Sequence, residues 1–482
     1  MVATTRTRTL IRSLLSVMVL ALFAAEAGAT TYNVGPGQQY PTIGSVPWES
    51  LNAGDTVNIY WQATPYREKF VLSRVGTAAA PITVHGVLGP AGERPVLDGN
   101  GATTRPQLAY YSQERGVIKI GGSTVPFADG VTVNPQYLVI ENLEIRGARS
   151  PNTFTAADGT TKTYTDPASA IYLEFGDNIT IRNCEIHSCG NGFFSFSGDT
   201  TTSSNVLVES CYIHDNGNPG SIFHHNNYTE SRGITFQYNR FGAVCGGCSG
   251  NGLKDRSSGL VIRYNWFEGA VNRQLDLVDA QDSVILRNDP NYHRTYVYGN
   301  IVIVDPLSGG NNDVVHFGGD TAGNGKGYKK GPLYFYNNTV VSHRTDKTRL
   351  FRLDTNSQSC DARNNVAYIT SAPGSTLKVL DNHGVVTLTQ NWFNIGWSAF
   401  NVNRPKGSVV DNGTIIGTTP GFVDEPGGNF HLAAGSQCID TGAALNPDVL
   451  PTFNVTLEYV KHLSSTARPV RPPLDIGAYE FP

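Results

Sequence analysis

The sequence predicts an all-β protein built as a parallel β-helix, a solenoid with capping segments and loop insertions. Three observations predict it: a short alternating segment recurs along the chain, many recurrences are 26–28 residues apart, and the 482 residues include 52 Gly with few helical periodicities. Repeats of this length are typical of solenoids, and alternation with a period of two residues indicates strands. The length of the chain could accommodate two or three domains, but the repeats favour one elongated domain.

The repeated segment has an apolar pair at i and i+2, followed three residues later by a small polar residue, usually Asn, and then by another apolar residue. Nine segments share this pattern: "LVIENLEI" (138–145), "ITIRNCEI" (179–186), "VLVESCYI" (206–213), "ITFQYNRF" (234–241), "LVIRYNWF" (260–267), "TYVYGNIV" (295–302), "LYFYNNTV" (333–340), "CDARNNVA" (360–367) and "VTLTQNWF" (386–393). Each marks a coil of the predicted solenoid.

The position usually held by Asn is spaced by 41, 27, 28, 26, 35, 38, 27 and 26 residues, and its occupants are Leu143, Cys184, Cys211, Asn239, Asn265, Asn300, Asn338, Asn365 and Asn391. An Asn here is expected to bond the backbone of a bend between strands and to stack on the Asn of the next coil. Asn also tolerates the left-handed backbone of such bends, so we expect that conformation at this position. Cys184 and Cys211 are expected to be buried in the same inward column, where a disulfide between them is an alternative.

The N-terminus indicates export. Residues 1–29 have a basic start, an uncharged apolar run from Leu14 to Ala25, and small residues suited to cleavage, which is the pattern of a signal peptide. The apolar run is too short to span a bilayer, so we expect a secreted or periplasmic protein without a membrane segment after cleavage. Cys245 and Cys248 suit a small loop disulfide in such a compartment.

We expect residues 30–135 to form the N-terminal cap and first coils, residues 136–400 the central coils, and residues 401–482 the C-terminal coils and closing segment. The formal net charge of −4 gives no support to nucleic-acid binding. A monomer that acts on a polysaccharide is the expected form of the protein.

Ionisable residues concentrate in one segment of the middle coils. The equivalent segments are "SIFHHNNYTES" (221–231), "NGLKDRSS" (251–258), "NRQLDLVDAQD" (272–282), "NNDVVHFGGDT" (311–321) and "TRLFRLDTN" (348–356). Stacking them predicts a column made of His224 or His225, Lys254 and Arg256, Asp276 and Asp279, His316, and Arg352. Solenoid faces bind polymers, which favours a chemical site, although a ladder of exposed salt bridges of little energetic value is the alternative.

The chemistry that suits this column is β-elimination on a uronate polymer, which needs a base for the C5 proton and cations for the neighbouring carboxylate. Lys254 is the predicted base, Arg256 the predicted carboxylate clamp, and His316 a candidate proton donor. Asp276 and Asp279 are expected to orient these groups or to hold a cation.

Substrate-binding residues are also predicted: His225, Arg273, Lys326, Tyr328 and Arg352. Lys326 and Tyr328 belong to the insertion "GGDTAGNGKGYKKG" (318–331), which suits a loop closing over an acidic glycan. A merely solvated loop is the alternative.

The ends of the chain carry a resemblance. The segments "GDTVNIYWQATPYREKFVLSRVGTAAAPITVHG" (54–86), "FVDEPGGNFHLAAGSQCIDTG" (422–442) and "DIGAYEFP" (475–482) resemble those of secreted bacterial right-handed parallel β-helix proteins, including polysaccharide lyases. Lys254 in a middle coil, before an Asn-bearing strand, resembles the β-helical lyases of the alginate lyase and chondroitinase B type.

That resemblance implies right-handed coils, a Lys base, an Arg from a second coil, and Ca²⁺ held by Asn and a Glu-x-Glu pair. The coil before Lys254 has no Glu-x-Glu, and Asp276 and Asp279 stand near the place of the Arg. Calcium is therefore possible as a cofactor, but its ligands are unknown.

The sequence also leaves two other functions open. A glycoside hydrolase would use Asp276 and Asp279 as its acid–base pair, although a spacing of three residues on a strand tends to place them on opposite faces. A non-catalytic glycan-binding or structural solenoid would need neither Asp276 nor Asp279. Parallel β-helices include lyases, hydrolases and non-catalytic proteins, so the fold does not choose among the three.

Overall fold

The computed structural model describes Met1 and residues 28–482, apart from residues 109, 123–133, 307–310, 321–324 and 372–375. Within these residues the chain is a right-handed parallel β-helix with three long sheets, which confirms the predicted fold class. Most of the predicted signal peptide, residues 2–27, lies outside the described residues.

The first sheet contains thirteen strands among the described residues, all paired in parallel. In sheet order they are Thr31–Val34, Thr56–Tyr60, Ile82–Val87, Gln136–Glu141, Gly176–Arg182, Ser203–Glu209, Arg232–Gln237, Ser258–Arg263, Thr295–Tyr298, Leu333–Tyr336, Ser359–Arg363, Val385–Thr389 and Ser408–Asn412.

The second sheet contains fourteen strands in the described part of the chain, and only its first pair is antiparallel. In order they are Thr161–Thr163, Thr153–Thr155, Ala102–Thr104, Glu68–Leu72, Gly116–Ile120, Ser169–Leu173, Asn191–Ser195, Asn227–Thr229, Leu253–Asp255, Leu275–Leu277, Asp313–Phe317, Lys347–Leu353, Thr376–Leu380 and Ser398–Phe400.

The third sheet follows the first after a bend in each coil. Its eleven strands, counted over the same residues, are Val96–Asp98, Glu144–Arg146, Glu185–His187, Tyr212–His214, Arg240–Phe241, Trp266–Phe267, Ile301–Val304, Thr339–Ser342, Val366–Ile369, Trp392–Asn394 and Ile415–Gly417. Inward side chains of the three sheets fill the solenoid, as where the rings of Phe241 and Phe267 stack 4.6 Å apart on successive coils.

Outside the three sheets the described elements are short. Two antiparallel hairpins and five helical turns are present: Phe422–Asp424 with Asn429–Leu432, Leu457–Val460 with Ser464–Ala467, the α-helix Val284–Arg287, and the 3-10 turns Ile43–Ser45, Trp48–Ser50, Gln113–Arg115 and Pro447–Val449. None of the helices in the described chain has the length and apolarity needed to cross a membrane.

A ladder of buried Asn side chains runs along the bend between the first and third sheets. The Oδ1 of Asn300 accepts hydrogen bonds from the backbone N–H of Asn265 (2.9 Å) and from its Nδ2 (3.0 Å). Asn300 in turn donates from its backbone N and Nδ2 to Oδ1 of Asn338, and the pattern continues through Asn365 to Asn391. These bonds confirm the predicted inward stacking of amides.

The left-handed residue of each bend is not the ladder residue, so that part of the prediction was wrong. Positive φ values of 47–66° occur one position earlier in all nine coils, at Asn142, Asn183, Ser210, Tyr238, Tyr264, Gly299, Asn337, Asn364 and Gln390. The preceding residue takes up the sharp bend, which leaves the ladder Asn free to point inward. Cys184 and Cys211 are buried in the same column as free thiols, whereas Cys245 and Cys248 form a disulfide.

The C-terminal segment, residues 420–482, packs along the side of the solenoid. Phe453 stacks on outward Tyr296 of the first sheet at 3.8 Å, and Phe430 packs against Trp266 of the third sheet. Asn337 donates to the carbonyl of Asp475 at 2.9 Å. The segment therefore covers the outer faces of the first and third sheets in addition to closing the coils.

Replacing Asn300 with Ala is expected to lower the free energy of unfolding by about 2–4 kcal/mol, because it leaves several buried donors and acceptors without partners. Chemical denaturation would measure the loss. The matched control is Asn403→Ala at an exposed site, for which we expect a change within about 0.5 kcal/mol. Equal, small effects at both positions would contradict a stabilising role for the ladder.

Candidate active site

One outward column of the second sheet gathers most of the predicted site residues. Direct strand pairing aligns, coil by coil, Lys119, Tyr172, Phe194, Tyr228, Lys254, Asp276, His316 and Arg352. We call this set the outward column. The order Lys254, Asp276, His316, Arg352 is as predicted, but Tyr228 stands where His224 or His225 was expected, because the register of that coil is shifted by several residues.

The segment after Lys254 is shaped by an inward carboxylate. Asp255 is fully buried and accepts hydrogen bonds from the backbone N (2.7 Å) and Oγ (2.8 Å) of Ser257 and from Oγ1 of Thr229 (2.7 Å). Lys329 donates to the Ser257 carbonyl at 2.7 Å from below the surface. This anchored turn directs Arg256 out of the strand and toward the side chain of Lys254.

Lys254 and Arg256 hold one carboxylate between them. Lys254 Nζ lies 2.5 Å from Oδ2 of Asp320, and Arg256 Nη2 lies 2.8 Å from its Oδ1. The side chain of Lys254 is 9% exposed, whereas that of Asp320 is 32% exposed. Two nearly buried cations thus share a carboxylate that reaches them from the solvent side.

Lys254 also belongs to a buried chain of alternating charges. Its Nζ donates to Oδ2 of Asp276 at 2.8 Å, and Oδ1 of Asp276 lies 2.7 Å from Nδ1 of His316. Nε2 of His316 lies 2.8 Å from Oδ2 of Asp354. Each ring nitrogen of His316 therefore faces a carboxylate, an arrangement that suits an imidazolium.

The pKa values of the chain follow from these pairs. Burial alone would raise the pKa of Asp276, but Lys254 and His316 outweigh it and hold this pKa well below the ordinary value. Burial alone would lower the pKa of His316, but hydrogen bonds to Asp276 and Asp354 raise it above 6.5. Asp276 is thus ionised, and its charge orients Lys254.

His225 lies behind Tyr228 as a neutral side chain. Burial, followed by the charge of Lys254, lowers the pKa of His225 to about 3. Its Nδ1 accepts the backbone N–H of Asn251 at 3.0 Å, which leaves the ring proton on Nε2. Asn251 also donates from Nδ2 to Asp276 at 3.1 Å. Asn251 therefore links His225 to Asp276.

These side chains border an open cleft of about 500 Å³. Its lining residues are Ile222, Phe223, His225, Tyr228, Asn251, Lys254, Arg256, Asn272, Arg273, Asp276, Gln281 and Asp320. Phe223 is 72% exposed at the rim, and the phenol of Tyr228 accepts a hydrogen bond from Nε of Arg256 at 2.9 Å. The cleft combines cationic side chains with apolar and aromatic surface, which suits an anionic sugar.

Other predicted residues lie at different distances from this cleft. Arg273 lines it and approaches Asp276 at 3.4 Å, while Arg352 ends the outward column and donates to Asp354 at 3.3 Å. Lys326 is exposed and Tyr328 is half-buried, with its ring directly against Gly319. Neither Lys326 nor Tyr328 lines the cleft.

Two predicted roles do not fit the geometry. His316 is 2% exposed and both its nitrogens are bonded to carboxylates, so it cannot reach a substrate as a proton donor. Asp276 and Asp279 are also 2% exposed; Asp276 is committed to Lys254, and Asp279 lies beside Arg256, 3.5 Å from its Nη1. A hydrolytic acid–base pair would need at least one of them to meet the substrate.

The cations held by Asp276 and Asp279 are side chains of the protein. Over the described ranges, no group of three or more His, Cys, Asp or Glu side chains is arranged to hold a metal ion. The carboxylates of this site are instead matched by Lys254, Arg256 and Arg273.

Several residues of the site were missed by sequence reasoning. Tyr228 precedes Lys254 by 26 residues, which is one repeat length, so the spacing alone could have found it. Asp320 and Asp354 follow strand ends, where no periodic signal applies. Glu230 is buried close to Arg256, and burial raises its pKa to about 8, which no sequence pattern indicates.

Comparison with known proteins supports the fold. A family model described as a right handed beta helix region matches residues 113–291, somewhat more than a third of the chain. The sequence shows no significant similarity to any curated protein.

Several solved structures have similar folds. An alginate lyase from Paenibacillus sp. str. FPU-7 is 15% identical over 70% of this chain and 94% of that chain, with a TM-score of 0.45. The pectate lyase Pel9A is 12% identical over 94% and 97%, with a TM-score of 0.45. A GH136 lacto-N-biosidase from Eubacterium ramulus is 13% identical over 81% and 68%, with a TM-score of 0.40. At these values the similarities carry no argument about the reaction of this chain.

Replacing His316 with Asn is expected to remove a pH-dependent part of the stability. Because the pKa of His316 is raised in the folded protein, its stabilising contribution is fully present below pH 6.5 and is lost as the pH rises through the raised pKa. The difference in melting temperature between wild type and variant should therefore be largest near about pH 6 and shrink toward about pH 9. A difference that stays constant, or that matches the control His383→Asn, would contradict the imidazolium assignment.

Proposed function

We propose that the protein is a polysaccharide lyase that cleaves a uronate-containing polymer by β-elimination. The observation that carries this proposal is the pair Lys254 and Arg256, which binds a single carboxylate at the wall of an open cleft. The oxygens of Asp320 stand in for the two oxygens of a uronate carboxylate. A site that already holds one carboxylate in this way is suited to another from solution.

Binding of the substrate begins with an exchange of carboxylates. The side chain of Asp320 is 32% exposed, against 4% for Arg256 and 9% for Lys254, so a uronate can displace this carboxylate from Arg256. The guanidinium then clamps the substrate carboxylate and stabilises the negative charge that develops beside C5. Arg273 also lines the cleft and adds a second cation.

Lys254 removes the C5 proton as its neutral amine. The carboxylate of Asp276, which also pairs with His316 and Arg273, lies 2.8 Å from Nζ of Lys254. Asp276 then keeps the amine in position by a hydrogen bond.

Elimination follows from that proton transfer. The electrons of the C5–H bond form the double bond between C4 and C5, the bond from C4 to the glycosidic oxygen breaks, and that oxygen takes a proton. Tyr228 is suited to supply it, because its Oη accepts from Arg256 and has its own proton available in the cleft. The products are an unsaturated uronate at the new non-reducing end and a free hydroxyl on the other fragment.

We also propose that the protein acts outside the cytoplasm as a monomer and that its partner is the polysaccharide alone. The signal-like residues 1–29 support export, and the net charge of −4 gives nucleic acid no general attraction. Lys326 and Tyr328 would contact only the outer part of a long substrate. A calcium requirement remains an expectation from the sequence resemblance, to be tested by chelation.

Lys254→Ala is expected to lower kcat/KM on the cleaved polymer by about 10³-fold or more, and Tyr228→Phe by about 10²-fold, because each removes a proton-transfer group. The measurement is the ultraviolet absorbance of the unsaturated product, after a panel of alginate, polygalacturonate and glycosaminoglycans has identified the substrate. Lys406→Ala, at an exposed site, is the matched control and should retain full activity.

The same panel separates the competing functions. New reducing ends without ultraviolet absorbance would indicate a hydrolase, and binding without products would indicate a binding or structural solenoid. Equal cleavage by wild type and Lys254→Ala would show that Lys254 is not the base.

Asp320→Asn is expected to lower KM by about fivefold to tenfold while kcat is kept within about twofold, because a neutral amide competes less well than a carboxylate for the two cations. Steady-state kinetics on the identified polymer would show this. Asp411→Asn, on an exposed part of the first sheet, serves as the control. A loss of kcat of about 10²-fold with KM unchanged would instead make Asp320 a catalytic group.

A further inference from the structure

The outward column continues beyond the cleft as a strip of aromatic rings. From Lys254 toward the N-terminus, the next three coils contribute Tyr228, Phe194 and Tyr172. The ring centroids are 5.1 Å apart between Tyr228 and Phe194 and 5.6 Å apart between Phe194 and Tyr172. Tyr228 and Phe194 are half-buried, so part of each ring remains in contact with solvent. The strip is aligned with the charged cleft by the same strand pairing.

A cation lies on the far end of this strip. Arg115 ends the 3-10 turn Gln113–Arg115, and its guanidinium carbon lies 4.7 Å from the ring centroid of Tyr172 and 4.8 Å from that of Phe194. Its side chain is half-buried, and its Nε has no hydrogen-bond partner. Among the described residues, the Arg115 side chain contacts these two aromatic rings, and no carboxylate forms an ion pair with it.

The neighbouring Lys119 differs from Arg115, because Lys119 has a carboxylate partner and Arg115 has none among the described residues. Lys119 belongs to the outward column one coil before Tyr172, and its ammonium is paired with the carboxylate of Glu174 and with the carbonyl of Tyr111. The adjacent Glu114 makes no ion pair with Arg115 in the part of the chain that the structure describes. Within the described residues, the charge of Arg115 therefore faces aromatic rings and no carboxylate.

We infer that Arg115, stacked on Tyr172 and Phe194, forms a second anion subsite, which binds another carboxylate of the same uronate polymer. The inference rests on the proposed function and extends it by stating how many sugars of the substrate the protein binds. Phe194 and Tyr172 lie two and three strands from Lys254, a distance of about 10–15 Å at the usual strand spacing. That is the length of two or three linked pyranose rings.

The chemistry of the strip fits such a ligand. A guanidinium stacked on aromatic rings keeps its N–H edge for bidentate bonding to a carboxylate, which a Lys ammonium cannot do. The ring of Tyr228 lies between the two cationic sites and offers an apolar face to the C–H face of a sugar. A polymer with a carboxylate on every sugar can therefore meet Arg256 at one sugar and Arg115 two or three sugars away.

Binding to sugars of two lengths tests the subsite. Galacturonate and alginate oligomers, each as dimer and hexamer, are titrated against Lys254→Ala, which prevents turnover, with and without Arg115→Gln. We expect Arg115→Gln to weaken hexamer binding by about tenfold or more, the factor for one charge-assisted pair, and dimer binding by less than twofold. Arg115→Lys should give a smaller loss for the hexamer, and Phe194→Leu should also weaken the hexamer selectively.

Controls make the outcomes distinct. Arg471→Gln, which removes an exposed Arg of the C-terminal segment, should leave both lengths unchanged, and melting temperatures will show that the variants are folded. Equal loss for dimer and hexamer, no loss for either, or no binding of any uronate oligomer would overturn the subsite. If the hexamer-selective loss is found but no unsaturated product forms from any polymer, the subsite stands and the lyase proposal fails.

Discussion

The register between successive coils is the constraint on which the site depends. In a parallel β-helix each residue stands directly above its partner in the next coil, and a shift of one residue would turn every outward side chain into the core. The buried Asn ladder holds this register at the bend between the first and third sheets, because each amide bonds both the backbone and the amide of the next coil. Lys254, Asp276 and His316 meet only because that register is kept from coil to coil.

Charge pairing explains how so many ionisable groups can lie in a nearly dry wall. A buried charge without a partner is costly, and here cations and carboxylates alternate: Lys254, Asp276, His316 and Asp354. Asp320 differs from the others because it closes the cluster from the solvent side and remains about one-third exposed. The interior pairs fix the positions of the buried groups, and the outer pair is the one that solvent can reach.

The remaining outer faces of the solenoid are used for stability. Residues of the C-terminal segment cover aromatic side chains of the first and third sheets, including Tyr296 and Trp266, which would otherwise be exposed apolar surface. The second sheet carries the cleft and the aromatic strip. One solenoid therefore divides its outer faces between packing against the C-terminal segment and an open surface that carries the charged cleft.

The sequence by itself determined the coils and the order of the charged side chains. Alternation with a period of two residues and repeats of 26–28 residues locate strands and inward positions, so the ladder and the order Lys254, Asp276, His316, Arg352 could be predicted. The tertiary structure alone decided which of these groups line the open cleft. Asp320 and Asp354 come from loops of irregular length, and Tyr228 stands where a His was expected. His316 belongs to the predicted column but is buried. A local sequence pattern could not predict these features, because the environment of a side chain depends on contacts between distant coils.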